Sequence, residues 1–231
     1  MSSLEDYIRL YSTIVQEDTM TENGVIADKL NPSHITLKVC PPSSEVYLSI
    51  VPQLATLLKS CIDNNITMNF IQPFSIEDAS AFWLSAEENV VQRKQFVIIA
   101  QESQGSSEDE ADYNDSRHEQ HVLESRTPII LGCVILYLAQ LPNAKHRAEV
   151  GKLIVGREHR KRGIGKMLLD RMEDEARKHG RKILVLDTET GSGAELFYER
   201  LGYSKAGVIP DASLAPDGKR YTSYTYFYKR L

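Results

Sequence analysis

The stretch Arg147–Gly180, "RAEVGKLIVGREHRKRGIGKMLLDRMEDEARKHG", runs from an apolar strand through a basic, glycine-punctuated turn into an amphipathic helix. The strand ends at Val155. Five cationic side chains (Arg157, Arg160, Lys161, Arg162 and Lys166) then crowd around Gly163 and Gly165. After the turn, Ile164, Leu168, Met172 and Ala176 recur every fourth residue, the row that one helix face buries, and Lys178-His179-Gly180 supplies a helix stop. The first turn of a helix carries unpaired N–H groups and a partial positive charge, so it attracts anions. Glycines at 163 and 165 let a phosphate approach the backbone, and the arginines add long-range attraction. A pyrophosphate is the natural ligand of such a turn. It is neither a P-loop, because GxxxxGK[ST] is absent, nor the dinucleotide GxGxxG, because the third glycine is missing.

Outward from this stretch the chain alternates strands and helices. "KILVLDT" is a short apolar strand, "GSGAELFYERLG" is a helix with Ala194, Phe197, Tyr198 and Leu201 on one face, and "YSKAGVIP" and "RYTSYTYFYKRL" are strands joined by a turn at Pro216–Gly218. Upstream, "HITLKV" and "QFVIIAQ" read as strands, as does "TPIILGCVILYLAQL" with a bulge or bend at Gly132. "EVYLSIVPQLATLLKSCIDNN" places Ile50, Leu54, Leu57, Leu58 and Cys61 at helical spacing, interrupted near its start by Pro52. "SIEDASAFWLSAEENVV" opens with Ser75 three residues before Asp78, a capping-box spacing. Strands followed by β-α-β-α-β-β predict an α/β (α+β) fold with a mixed, mostly antiparallel sheet and helices on both faces.

Residues 1–44 hold breakers and no strong period and read as an N-terminal extension, leaving 45–231 as the folded domain. Residues 102–126 contain eight acids against two arginines and almost no aliphatics, the composition of a mobile acidic loop. The net charge of −5 argues against general nucleic-acid binding, and no apolar run reaches membrane-spanning length. Three cysteines without a CxxC pair give neither a disulfide framework nor a zinc site, so no metal is expected. A reducing, cytoplasmic compartment fits, with the nucleus as the alternative; the sequence leaves homodimer formation open.

The run "RAEVGKLIVGREHRKRGIGKMLLDRMEDEARKHG" followed by "LVLDTETGSGAELFYERLGYSKAGVIP" resembles the GCN5-related N-acetyltransferase (GNAT) superfamily. The upstream "NNITMNFIQPFSIEDASAFW" and the "YFYKRL" ending resemble its bacterial tabtoxin-resistance type. The resemblance implies a sheet splayed where acetyl-CoA binds. Its pyrophosphate would lie on the turn Arg160, Lys161, Arg162, Gly163, Ile164, Gly165 and Lys166, and its pantetheine arm along Leu153, Ile154 and Val155. The resemblance also implies acetyl transfer to an amine: a small molecule, or alternatively a protein lysine or N-terminus, with a non-catalytic acetyl-CoA-binding module as a third reading. One departure stands out: many members carry Asn where this chain has Gly191.

Acetyl transfer needs a deprotonated amine and a proton for the departing thiolate. Glu149 occupies the position of the family's base, and strand alternation puts it on the face opposite Val150 and Lys152. Asp187, at the end of the next strand, is the other candidate base, or else holds the acceptor's ammonium. Tyr198 is the candidate acid, because an ordinary phenol pKa of about 10 suits donation to a thiolate. Tyr224, Tyr226 and Tyr228 share one strand face, and any of them could line an acceptor pocket.

Overall fold

The structure is a computed structural model and describes residues 35–102 and 128–231. Seven strands form one sheet in the order β1-β2-β3-β4-β5-β7-β6. They are β1 (Ile35–Val39), β2 (Gln95–Glu102), β3 (Ile130–Leu138), β4 (Arg147–Val155), β5 (Ile183–Glu189), β6 (Ser204–Leu214) and β7 (Tyr221–Arg230). All neighbours are antiparallel except β4 and β5. The strand expected at "HITLKV" is β1, so the sheet begins inside the stretch read as an extension. The acidic segment and the chain before Ile35 lie outside the described residues, apart from Glu102 at the end of β2.

Among the described residues five α-helices cover the two faces: α1 (Ser44–Asp63), α2 (Ile76–Ser85), α3 (Glu87–Val91), α4 (Ile164–Lys178) and α5 (Gly193–Arg200). Helix α1 runs through Pro52, because its buried row of Ile50, Leu54, Leu57, Leu58 and Cys61 outweighs one lost backbone bond. Ser75 and Asp78 form the expected capping box, but the helix it opens breaks at Ala86 into α2 and α3. One core cluster lies between α1–α3 and the sheet, built on Val97, Ile99, Cys133, Ile135 and Ile154. The other lies under α4 and α5, built on Val134, Leu136, Ala148, Val150, Leu153, Val155, Leu184 and Leu186. A buried sheet with one core on each face explains why its central strands read as continuous apolar runs rather than alternating ones.

Gly132 sits where two register shifts meet, one between Ala100 and Gln101 of β2 and one between Cys133 and Ile135 of β3. A Cβ there would lie 2.5 Å from the Ile154 carbonyl oxygen and 3.2 Å from the Val155 Cα. Backbone cannot yield as a side-chain tip can, so Gly132→Ala should destabilise the fold by about 2–3 kcal/mol. Urea unfolding checks this; an unchanged midpoint would show that β4 moves aside freely.

Candidate functional site

Strands β4 and β5 pair over only three positions, Arg147↔Ile183, Ala148↔Leu184 and Glu149↔Val185. Beyond them the strands part, while β4 continues paired with β3 to Val155 and β5 continues paired with β7 to Glu189. The main chain of Leu153, Ile154 and Val155 is therefore bonded to β3 on one side and lacks a partner strand on the side of β5. The sheet opens into a V there.

Glu149 and Asp187 flank the base of this V on the same face. Ala148 and Val150 belong to the core under α4, so Glu149 points the other way, beside its cross-strand partner Tyr137, which packs against the α1 core. Leu184 and Leu186 likewise face α4, which turns Asp187 to the side of Glu149. Asp187 is 6% exposed, and its Oδ2 has no hydrogen-bond partner among the described residues. Burial pushes the Glu149 carboxyl up to about 8, with the Asp187 charge adding to the rise and Arg147 opposing it. Burial also raises Asp187, to about 7, against the pull of the Lys152 ammonium. Tyr226, the cross-strand partner of Asp187, is pushed up by burial and then by both carboxylates, which places it at the same cluster.

Lys152 corrects the expectation from alternation. It takes a left-handed backbone (φ 50°), and the register slips between Cys133 and Ile135, so Lys152 and Leu153 together oppose one residue of β3. This is a β-bulge, and it turns Lys152 onto the face of Glu149 instead of that of Val150. The side chain is 1% exposed, donates from Nζ to the Met68 carbonyl at 2.9 Å, and lies 5.3 Å from the ring centres of both Phe70 and Phe82. Sequence reasoning missed it as a member of the site. A second element it missed is the segment after α1: Met68 is bonded to β4 through Lys152, and Asn69 accepts from the Tyr224 hydroxyl of β7 at 2.9 Å. The segment thus bridges the two arms of the V on the carboxylate side.

The glycine-rich turn stands at the open end. Gly163 is the N-cap of α4 in the left-handed region (φ 78°), as is Lys161 (φ 61°), and a Cβ on Gly163 would meet nothing within 4 Å. No side chain caps the helix, and its first backbone bond is from Met167 N–H to the Gly163 carbonyl. The amides of Ile164, Gly165 and Lys166 are left without partners inside the helix, the arrangement that holds an anion. Arg160 donates from Nε to the Val155 carbonyl at 3.3 Å, Arg162 approaches the His159 ring at 3.3 Å, and Lys166 pairs with Asp170 at 2.5 Å. The Arg162 Nε is buried without a partner. These residues fit a pyrophosphate: open space, aimed amides and cationic flanks.

Tyr198 lies on the other face. It is fully buried on α5, in the cluster that also holds Leu153, Val155, Ile164 and Leu186, with ring contacts to Phe197, Tyr203 and Phe227. The structure therefore brings Glu149 and Asp187 together and sets Tyr198 across the sheet from them, with the V between. Gly191 also takes a left-handed conformation (φ 80°), and its N–H donates to Glu195 at 2.8 Å. Among the described residues no group of three His, Cys, Asp or Glu could hold a metal ion, and no helix is long and apolar enough to cross a membrane.

Residues 76–203 match the model of the acetyltransferase (GNAT) family. Solved structures share the fold at low sequence identity. A GCN5-related N-acetyltransferase from Kribbella flavida superposes with TM-score 0.62 at 16% identity, covering 87% of this chain and 100% of its own. A protein of Salmonella typhimurium described as an acetyltransferase, solved with its cofactor acetyl-CoA, gives TM-score 0.57 at 13% identity, with 85% and 94% covered. One described as a phosphinothricin N-acetyltransferase gives TM-score 0.60 at 16% identity, with 85% and 98% covered.

Proposed function

The chain belongs to the acetyltransferase (GNAT) family, and from that premise we propose that it moves the acetyl group of acetyl-CoA directly onto the primary amine of a small molecule, as a member of the tabtoxin-resistance type. The observation that carries this reading is the carboxylate pair, half-buried Glu149 and buried Asp187, at the base of the V between β4 and β5. Acetyl-CoA supplies the activated acyl group as a thioester. The amides of residues 161–166 would hold its pyrophosphate, and the unpaired edge of β4 at Leu153–Val155 its pantetheine arm.

On the acceptor side, Asp187 offers an unpartnered carboxylate oxygen to an incoming ammonium. Glu149, with its carboxyl raised to about 8, is matched to removing that ammonium's proton near neutral pH. Tyr198 would return a proton to the departing sulfur from the opposite face. The segment Met68–Phe70, pinned to β4 and β7, bridges the V on the carboxylate side, and this favours a compact acceptor over an extended peptide.

Acceptor screening tests the assignment. Amino acids, polyamines, aminoglycosides and short peptides are offered with acetyl-CoA, and free thiol is read. Turnover with a small amine at least tenfold above that with peptides is expected; preference for peptides would overturn the small-acceptor reading. For the donor side, Gly163→Val forces a β-branched residue into the left-handed region and should weaken acetyl-CoA binding tenfold or more, about 1.4 kcal/mol. Calorimetry reads this directly, and an unaltered Kd would remove the turn from the binding site.

A further inference from the structure

A charged side chain that is 1% exposed, on a non-glycine residue held at φ 50°, is a costly thing to place in a sheet. Lys152 carries both burdens beside the carboxylate pair, and nothing in the chemistry assigned so far uses it. Its surroundings define its electrostatic partner. Around it stand Asp187 on β5, Cys61 on α1 and Cys133 on β3, whose Sγ approaches the Lys152 carbonyl at 3.7 Å. Glu149 and Arg147 stand further along β4, and Tyr226 across on β7. Burial pushes the Cys61 thiol up to about 12 and the Cys133 thiol higher still, so both remain uncharged near neutral pH. That leaves Asp187 as the anion felt by Lys152 among the described residues.

We propose that Lys152 is the positioning residue of the carboxylate pair: fixed by Met68, Phe70 and Phe82, its ammonium keeps Asp187 anionic for the acceptor and leaves Glu149 as the member that exchanges a proton. Two interacting carboxyls at one site titrate as a pair, with roles set by what each one faces. Arg147 acts on Glu149, whereas the cation acting on Asp187 is the buried Lys152, and that sets the two apart. The bulge is what delivers it, because regular alternation would send residue 152 into the apolar core under α4. The same side chain, through Met68, fixes the segment that bridges the two arms of the V. The hold of Lys152 on Asp187 runs in the direction this requires: it lowers the carboxyl against the rise caused by burial.

This inference rests on the reading of Glu149 and Asp187 as the acceptor-side pair. Two variants separate charge from anchoring. Lys152→Met removes both the charge and the donor to Met68, whereas Lys152→Gln removes the charge and keeps a donor. If charge is what matters, both variants raise the acceptor KM about tenfold at pH 7. Both also move the acidic limb of the kcat/KM profile up by about one pH unit, and the KM defect disappears near pH 9.5, where Asp187 ionises unaided and the parent's own lysine, pulled down to about 8 by burial, has lost its charge. Acetyl-CoA affinity stays within twofold, and Lys152→Gln, which keeps a donor for the Met68 carbonyl, melts no lower than Lys152→Met, which leaves that carbonyl unpaired.

A wild-type pH profile in Lys152→Gln overturns the proposal. So does a uniform, pH-independent loss with a lowered melting temperature, or insoluble protein from both variants, each of which marks a structural lysine. If Glu149→Gln and Asp187→Asn themselves retain full turnover, the acceptor-site reading fails first. If those two are crippled and the Lys152 variants are not, only the role of Lys152 fails.

Discussion

Glu149→Gln is expected to lower kcat/KM at pH 7 by about 10²-fold to 10³-fold, the range that a lost general base produces. The signature is in the pH dependence. With its carboxyl raised to about 8, Glu149 is mostly protonated at neutral pH, so the parent enzyme gains activity as pH rises and levels off above about 8. The variant has no such group, and its rate follows the fraction of acceptor already present as free amine, which keeps growing toward pH 10. The defect is therefore constant below about pH 8, where both rates rise together, and shrinks above it, where only the variant still gains. Asp187→Asn should act differently, raising the acceptor KM with a smaller change in kcat, because it removes the anion that holds the ammonium. If Asp187→Asn instead reproduces the pH signature, Asp187 is the base and Glu149 the binder. If neither carboxylate variant shows a pH-dependent defect, the acceptor arrives neutral and the site needs no base.

The same shift makes the stability of the fold depend on pH. Glu149 has a folded-state pKa above its ordinary 4.5, so the folded chain holds this proton more tightly than the unfolded chain does. Its contribution to stability is present below about 4.5 and is lost as pH rises through about 8. The glutamine variant carries no such group. Its melting temperature should fall less than that of the parent between pH 5 and pH 8.5, a gain in stability at the pH where activity is lost.

Much of this was legible in the chain because local signals and tertiary structure agreed. The row Ile164, Leu168, Met172, Ala176 is buried as its spacing required, and Gly163 stands at a left-handed N-cap where a glycine is needed. Ser75 and Asp78 close a capping box that depends on four residues alone. What escaped depended on strand register. The bulge or bend expected at Gly132 coincides with register shifts beside it, but Gly151 next to a charged residue in "EVGKLIV" is the equally informative signal for the second bulge. One extra residue there moves Lys152 to the other face of the sheet. The bridging segment around Met68 and Asn69 was invisible for another reason: its place is set by partners on β4 and β7, 84 and 155 residues away in sequence.

Tyr198→Phe should lower kcat by about 10²-fold with little change in acetyl-CoA affinity. The substitution removes one hydroxyl and keeps the ring, so the contacts with Phe197, Tyr203 and Phe227 persist and the melting temperature serves as the control. Its position gives the experiment its force. Tyr198 is fully buried in the cluster under α4 and α5, whereas Glu149 and Asp187 occupy the opposite face. An acid and a base on two sides of a sheet can serve one reaction only if the reacting atoms sit in the opening between β4 and β5, where the ladder stops after Glu149 and Val185. The two kinds of variant must then differ in their pH behaviour. An ordinary phenol stays protonated to about pH 10, so the Tyr198→Phe defect should be constant through pH 9, while that of Glu149→Gln shrinks above about pH 8. A constant hundredfold loss at unchanged melting temperature assigns the proton donor to α5. A loss that tracks a lowered melting temperature, or no loss at all, makes Tyr198 a packing residue and leaves the departing sulfur to be protonated by water.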